Sequence, residues 1–457
     1  MSDTPLSLKD LERFGELPTR DLAVIPGVCD VLRPIAADAR ETIGVELYDV
    51  QGGDMLRPIL RLVRSPHSPR QVHLLTGLPG SGKSTQMLRL QAELEREGTA
   101  DDGTRRLRTV YVDAMEYIPI QDLDSTWVLL CLVAEVVKQF ETFAKASKSV
   151  RLMWDDLRQV VDTSTLEAGA ELNLGLVKLA GRIKSDHAAR EMLRLRLPSV
   201  TERLIDHLNA FVKELRGSLA KQGYDDLVLI VDNLEKMVPR ELDSGRDTFS
   251  ATFLDGAPLF RRLDLHVVLT VPLSLCYRDA GGGALTSLYG TEPLILPMVR
   301  IKKRDGSDHD EGLAALRALL AKRLDLSFTF ENEDLVRDVC LASGGWLRLL
   351  MQIVTGMSLE TDNPPMTRAH FERIMTRHAG QIDERLPREF VPVLAEVALT
   401  HDFDSTTEGR NAVKELCLQS LFALRYNGEG HWFDVHTALW RIPRFVRAVE
   451  ALRAQKA

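Results

Sequence analysis

This 457-residue chain lacks a disulfide framework and a zinc-ligand pattern. Its five cysteines, Cys29, Cys131, Cys276, Cys340 and Cys417, are scattered, odd in number and form no C-x-x-C pair;. Each has apolar neighbours, which predicts buried free thiols and a reducing compartment. Long apolar runs are also missing. The strongest, Trp127 to Val137, carries Glu135 and is too short to cross a bilayer;. Met1 to Asp10 is polar, without the apolar stretch of a secretory signal;. These absences predict a cytoplasmic protein with no membrane partner. Positive charge is the scarcer sign, with 58 Lys and Arg against 66 Asp and Glu and a formal net charge of -8. Such a surface is not coated for general nucleic-acid binding, although a local basic patch remains compatible with DNA. There is no internal repeat and no low-complexity tract.

What is present reads as an α/β protein. Apolar residues make up 44% and charged residues 27%, an ordinary globular balance. The length predicts two to four domains. Val72 to Thr76 is apolar except for His73, follows Pro66 and Pro69, and predicts a buried strand. A glycine-rich loop comes next, then helical spacing over Ser84 to Gly98. Arg108 to Met115, Leu227 to Val231, Leu265 to Val271 and Pro293 to Ile301 predict further strands. Strands alternating with helices imply a parallel sheet. Residues 118–222 read as a helical insertion, with helices at Trp127 to Ala144, Leu176 to Ile183 and Val200 to Leu219. Helix-like spacing also marks Val31 to Ala39 and Met55 to Val63.

The predicted domains are an N-terminal segment, 1–68, a core, 69–304, a helical lid, 311–380, and a terminal domain, 385–457. Arg304 to Gly312 reads as a polar linker. Lid helices are predicted at Leu313 to Leu324, Asp334 to Ala342, Leu347 to Met357 and Thr367 to His378. In the last domain, helices at Glu389 to Leu399 and Asn411 to Leu418 precede Phe422 to Tyr426 and Trp432 to His436. These two runs flank Asn427-Gly428 and predict a hairpin, hence a winged-helix-like domain.

Gly77-Leu78-Pro79-Gly80-Ser81-Gly82-Lys83-Ser84-Thr85 matches G-x-x-x-x-G-K-[ST];. Glycines let the backbone turn its N–H groups onto phosphate oxygens. Lys83 supplies charge toward the outer phosphates, and Ser84 offers a hydroxyl to magnesium. The following helix presents its positive end to the same anion. The motif points to a nucleoside triphosphate, ATP with Mg2+. Leu227-Val228-Leu229-Ile230-Val231-Asp232 is an apolar strand ending in an acid, the pattern of a magnesium-serving aspartate. A Glu commonly follows that Asp. Here Asn233 follows, which leaves Glu235 as the candidate base and predicts slow or regulated turnover.

These motifs, with Ser343-Gly344-Gly345-Trp346-Leu347-Arg348, resemble AAA+ and STAND-type P-loop ATPases, especially the origin-recognition-like branch. The resemblance spans roughly residues 50–380. It implies a parallel-sheet P-loop NTPase core with a helical insertion, an α-helical lid and a C-terminal winged-helix-like domain. It implies ATPase activity, Arg348 as a lid sensor of the outer phosphates, and Thr270 as the first sensor. It also implies a homo-oligomer with an arginine finger, for which Arg261, Arg262 and Arg278 are candidates. The function implied is an ATP-driven switch controlling assembly or a protein effector, as in bacterial anti-phage defence. The alternative is a DNA-associated ATPase (initiator, loader or transposition helper) using the C-terminal domain, where Arg425, Arg441, Arg444 and Arg447 give a basic bias. The run Arg300, Lys302, Lys303 and Arg304 reads as a solvated strand end.

Overall fold

The computed structural model describes residues 4–96, 105–119, 121, 123–160, 194–243, 245–277, 279–403, 410–428 and 430–456. The predicted helix at Leu176 to Ile183 lies outside them, as does Arg278. The chain divides into two compact units.

The first unit comprises Leu56–Thr76 and Leu90–Leu294. Its sheet is built from the predicted apolar runs: β1 (Val72–Gly77), β2 (Leu107–Asp113), β3 (Asp226–Asp232) and β4 (His266–Thr270). β1, β3 and β4 are buried at every position, because a parallel sheet covered on both faces needs apolar side chains on both. With β5 (Leu294–Leu296), the order is β2-β3-β4-β1-β5. The pairs β1–β4, β4–β3 and β3–β2 are parallel. The β2–β3 register sets Asp113 opposite Asp232. The fold is therefore a parallel-sheet α/β core of the P-loop kind, followed by a helical C-terminal region.

Four helices of this unit are α1 (Arg57–Arg64), α3 (Ser125–Gln139), α4 (Lys148–Val160) and α5 (Pro198–Ala220); α2 (Lys83–Glu95) follows β1. α5 buries Leu204, Ile205, Leu208, Phe211, Val212, Leu215 and Leu219, a stripe at helical spacing;. It packs on α4, where Glu214 accepts from Ser147 and Ser149, each at 2.8 Å. At the sheet's N-terminal edge, Arg216 and Arg70 each bridge Asp226 and Asp264, at 2.7–2.9 Å.

The second unit comprises Met1–Met55, Gly77–Arg89 and Ile295–Ala457. Its helices include α6 (Asp310–Ala321), α7 (Glu333–Ala342), α8 (Leu347–Ser358), α9 (Arg368–Arg385), α10 (Phe390–Thr400), α11 (Arg410–Gln419) and α12 (Pro443–Lys456). Strands β6 (Ala423–Gly428) and β7 (Gly430–Val435) form an antiparallel hairpin. The buried Arg323 guanidinium donates to the carbonyls of Val28, Ile43 and Leu319, tying the N-terminal segment to α6.

Several sequence expectations are corrected. Val31 to Ala39 is not helical. The Asp30 carboxylate accepts from the Leu32 N–H, Pro34 interrupts, and Ile35 bridges Leu6. The run Pro293 to Ile301 forms a strand only at Leu294–Leu296, since Pro297 supplies no N–H;. Trp127 to Ala144 breaks at Phe140 (φ -111°, ψ 35°) into two helices. Arg108 to Met115 stops at Asp113, whose carboxylate instead caps a short helix through the Met115 N–H. Within the polar stretch Arg304 to Gly312 the chain makes a closed turn, with Lys302 paired to Asp308, and α6 starts at Asp310. Among the described residues, no helix is long and apolar enough to cross a membrane. All five cysteines are buried and outside any disulfide.

Candidate functional site

The phosphate-loop motif lies in the second unit from Gly77 onward. Gly80 and Gly82 have φ of 78° and 100°, backbone that L side chains rarely adopt;. α2 starts at Lys83, so the motif ends on a helix N-terminus whose first N–H groups lack intrahelical acceptors;. Lys83 is buried, and its ammonium donates to the carbonyls of Gly77 at 3.0 Å and Leu78 at 3.2 Å. Ser81 is buried, and its Oγ has no hydrogen-bond partner among the described residues. A phosphate oxygen is the acceptor such a hydroxyl suits. Pro79 is exposed and Ser84 half-buried. Thr85 Oγ1 accepts from the Ile35 N–H at 3.2 Å, so this hydroxyl anchors the N-terminal segment.

The turn before α8 reaches the same loop. A Cβ on Gly80 would lie 2.4 Å from Trp346 Nε1 and 2.7 Å from Arg348 Cβ. Glycine is therefore required at 80 both for its φ and for the indole laid against it. The turn itself is fixed: Ser343 Oγ accepts from the Gly345 N–H at 3.0 Å, and the Val299 N–H donates to the Gly345 carbonyl at 3.1 Å. Tyr426 of the hairpin donates to the Gly344 carbonyl at 2.5 Å. Arg348 also borders a cavity of about 620 Å³ whose lining includes Gln352, Arg377, His378 and Arg385.

Asp232, Asn233, Glu235 and Thr270 lie in the first unit. Asp232 is fully buried at the end of β3. Its Oδ2 accepts from the Tyr111 phenol at 2.7 Å, and its Oδ1 from the Asn233 N–H at 2.8 Å. Burial, then the Asp232 carboxylate, raises the Tyr111 pKa well above its ordinary value, so the phenol remains a donor;. Asn233 is left-handed, φ 69°, a conformation that Asn tolerates better than most residues. Its Nδ2 donates to Asp113 Oδ1 at 2.8 Å. Thr270 Oγ1 accepts from the Leu234 N–H at 3.1 Å and so braces the turn after β3. Glu235 follows on a half-buried short turn.

No family model and no curated protein matches this sequence. Solved structures do. A Walker-type ATPase of Pyrococcus abyssi is 15% identical, over 84% of this chain and 93% of that one, with a TM-score of 0.40. Cdc6p from Pyrobaculum aerophilum is 13% identical, over 93% and 98%, at 0.36. The Aeropyrum pernix ORC2 protein, solved in ADPNP–ADP complexes, is 12% identical, over 92% and 96%, also at 0.36. At such identities and TM-scores the likeness carries no argument about this chain.

Sequence reasoning missed Tyr111, Asp113 and Trp346. One signal was available. β2 and β3 both end in Val-Asp, Val112-Asp113 and Val231-Asp232, and parallel strands of equal length bring such ends level. Of the finger candidates Arg261 and Arg262, both exposed, Arg262 is engaged by Glu202 and Asp206, each at 3.1 Å. The basic run after β5 is partly structural, since Arg300 donates to the carbonyls of Asp49 and Val50.

Proposed function

We propose that the chain is an ATP-binding, slowly hydrolysing switch of the AAA+/STAND-like kind. The observation that carries this reading is the phosphate loop itself. It has positive-φ glycines, a helix starting at Lys83, and a lid turn carrying Trp346 and Arg348 against Gly80. In this reading the loop N–H groups and Lys83 hold the phosphates, Arg348 senses the outermost one, and Thr270 acts from β4. Ser84 and Asp232 serve magnesium with the oxygen donors that ion prefers; when bound, the ion neutralises charge developing on the phosphates. The missing Glu after Asp232 supports slow turnover.

The output of the switch is proposed to be self-assembly or control of a protein effector, in a setting such as bacterial anti-phage defence. Support comes from the hairpin's grip on the lid turn: Tyr426 donates to Gly344, and Thr437 to the Ala342 carbonyl. A ligand that moves this turn must also disturb the C-terminal region. The DNA-associated alternative has less support, because Arg441 and Arg444 are paired with Glu372 and Asp383, both at 2.6 Å.

Calorimetry with Mg-ATP, phosphate release and sedimentation with and without nucleotide test this reading. Tight binding lost in Lys83→Ala, together with a nucleotide-dependent change in assembly or partner capture, is expected. Salt-sensitive DNA binding without such a change would favour the alternative. Unaltered ATP binding by Lys83→Ala would overturn the site.

A further inference from the structure

The cavity of about 620 Å³ takes its walls mainly from α8 and α9, and every residue lining it belongs to the second unit. No phosphate-loop residue is among them. A cavity of this size holds a small organic molecule. One part of its wall is apolar, with Leu349, Ile353, Ile374 and Leu421. The other is cationic: Arg348, Arg377 and Arg385 stand against one carboxylate, Glu384. Arg377 gives one terminal nitrogen to Glu360 at 2.7 Å. Arg385 Nε donates to the Gln381 carbonyl at 3.1 Å, and its terminal nitrogens have no hydrogen-bond partner among the described residues.

A relay of two histidines adds a donor. The Ala438 N–H donates to His436 Nδ1 at 3.1 Å. His436 is fully buried, and burial lowers its pKa to about 3, so the ring is neutral and its proton sits on Nε2;. That nitrogen lies 3.3 Å from His378 Nε2, which must therefore accept. Burial, then Arg385, also lowers the His378 pKa, so its single proton is left on Nδ1;. This N–H has no partner among the described residues, on a ring that lines the cavity. The wall at Leu421 is strained, with φ 59°. The Phe422 N–H donates to the Cys417 carbonyl at 2.9 Å, closing the end of α11 where glycine usually takes the left-handed position;. Leucine holds that conformation at a cost, and its side chain forms part of the wall;.

We propose that this cavity binds a small phosphorylated aromatic molecule, its ring against the apolar side chains of α8 and α9 and its phosphate on Arg377, Arg385 and the His378 N–H. Guanidinium forks fit phosphate oxygens in pairs. The excess of cations over carboxylates favours a dianion over a singly charged carboxylate. Trp346 and His378 supply rings for an aromatic body to pack on;. The site is distinct from the phosphate loop and stands whether or not that loop holds a nucleotide.

Equilibrium dialysis of the full chain without nucleotide tests this, with 1-naphthyl phosphate, 1-naphthoate and inorganic phosphate as probes. The expected Kd for 1-naphthyl phosphate is on the order of 0.1 mM, about tenfold tighter than for either other probe. Lys83→Ala should bind it within about twofold of the parent. Arg377→Gln/Arg385→Gln changes two exposed side chains and should weaken it about tenfold or more, while unfolding curves confirm the fold. Leu421→Gly should also weaken it, through the lost wall. No binding of 1-naphthyl phosphate overturns the proposal, as does an unchanged affinity in the arginine double variant. Binding lost in Lys83→Ala but kept in the double variant places the probe on the loop and overturns it too. Equal affinity for 1-naphthoate overturns the phosphate assignment. A chain that binds 1-naphthyl phosphate but not Mg-ATP keeps this site and loses the nucleotide reading.

Discussion

β3 begins and ends on a buried aspartate, and the two ends are built for different purposes. Asp226, at the start, is gripped by the guanidinium groups of Arg70 and Arg216. Burial alone would raise its pKa, but Arg216, the Leu227 N–H and Arg70 outweigh that and hold it below the usual carboxylate value. Asp232, at the finish, accepts from a phenol and a backbone N–H. Next to it sit a left-handed Asn and an acceptor with no partner among the described residues. The first end is arranged to be stable. The second keeps strain and an unmet hydrogen-bond capacity, the usual marks of a functional edge.

Breaking the first end should give the largest effect. The double variant Arg70→Ala/Arg216→Ala takes both guanidinium partners from the buried Asp226 carboxylate and should lower stability by about 3–5 kcal/mol, read by denaturant unfolding. Lys83→Ala should leave stability nearly unchanged but weaken Mg-ATP binding by about a hundredfold or more, some 2.7 kcal/mol, read by calorimetry.

The N-terminal side also stores a pH response. His73 and His266 stack across β1 and β4, their rings 5.7 Å apart. Burial, reinforced at His73 by its neighbour, lowers each pKa to about 4 from 6.5. A histidine whose folded pKa lies below its unfolded value disfavours the folded state as it protonates. Stability should therefore be full above pH 6.5 and fall between 6.5 and 4, by up to about 1.4 kcal/mol per pH unit per histidine. Unfolding curves at stepped pH check this, and His266→Gln should flatten the slope. Tyr111→Phe removes one donor from Asp232 and should destabilise by about 1–2 kcal/mol. The smallest effect belongs to Arg441→Ala, whose partly exposed pair with Glu372 should contribute less than about 1 kcal/mol.

Much of the sheet was legible because its strands are buried on both faces and so read as unbroken apolar runs. The phosphate loop was legible because its glycines and lysine are local requirements. Val31 to Ala39 misled because apolar spacing was weighed above Pro34 and the Asp30 turn. Asp113 was invisible as a partner of Asn233, since only strand register brings residues so distant in sequence together. Asn233 was noticed as a departure, but its meaning lay in a backbone angle and an amide contact. Trp346 read as an ordinary part of a glycine-rich helix start; its contact with Gly80 is a tertiary fact.

That contact gives the protein an optical gauge of its own. Trp346 is one of five tryptophans, and its indole nitrogen faces the loop backbone. Its emission should respond to any phosphate that reshapes the loop, before bond cleavage and without an added dye. The difference between the parent spectrum and that of Trp346→Phe isolates this signal from the other four. Movement of the turn before α8 can then be timed separately from bond cleavage.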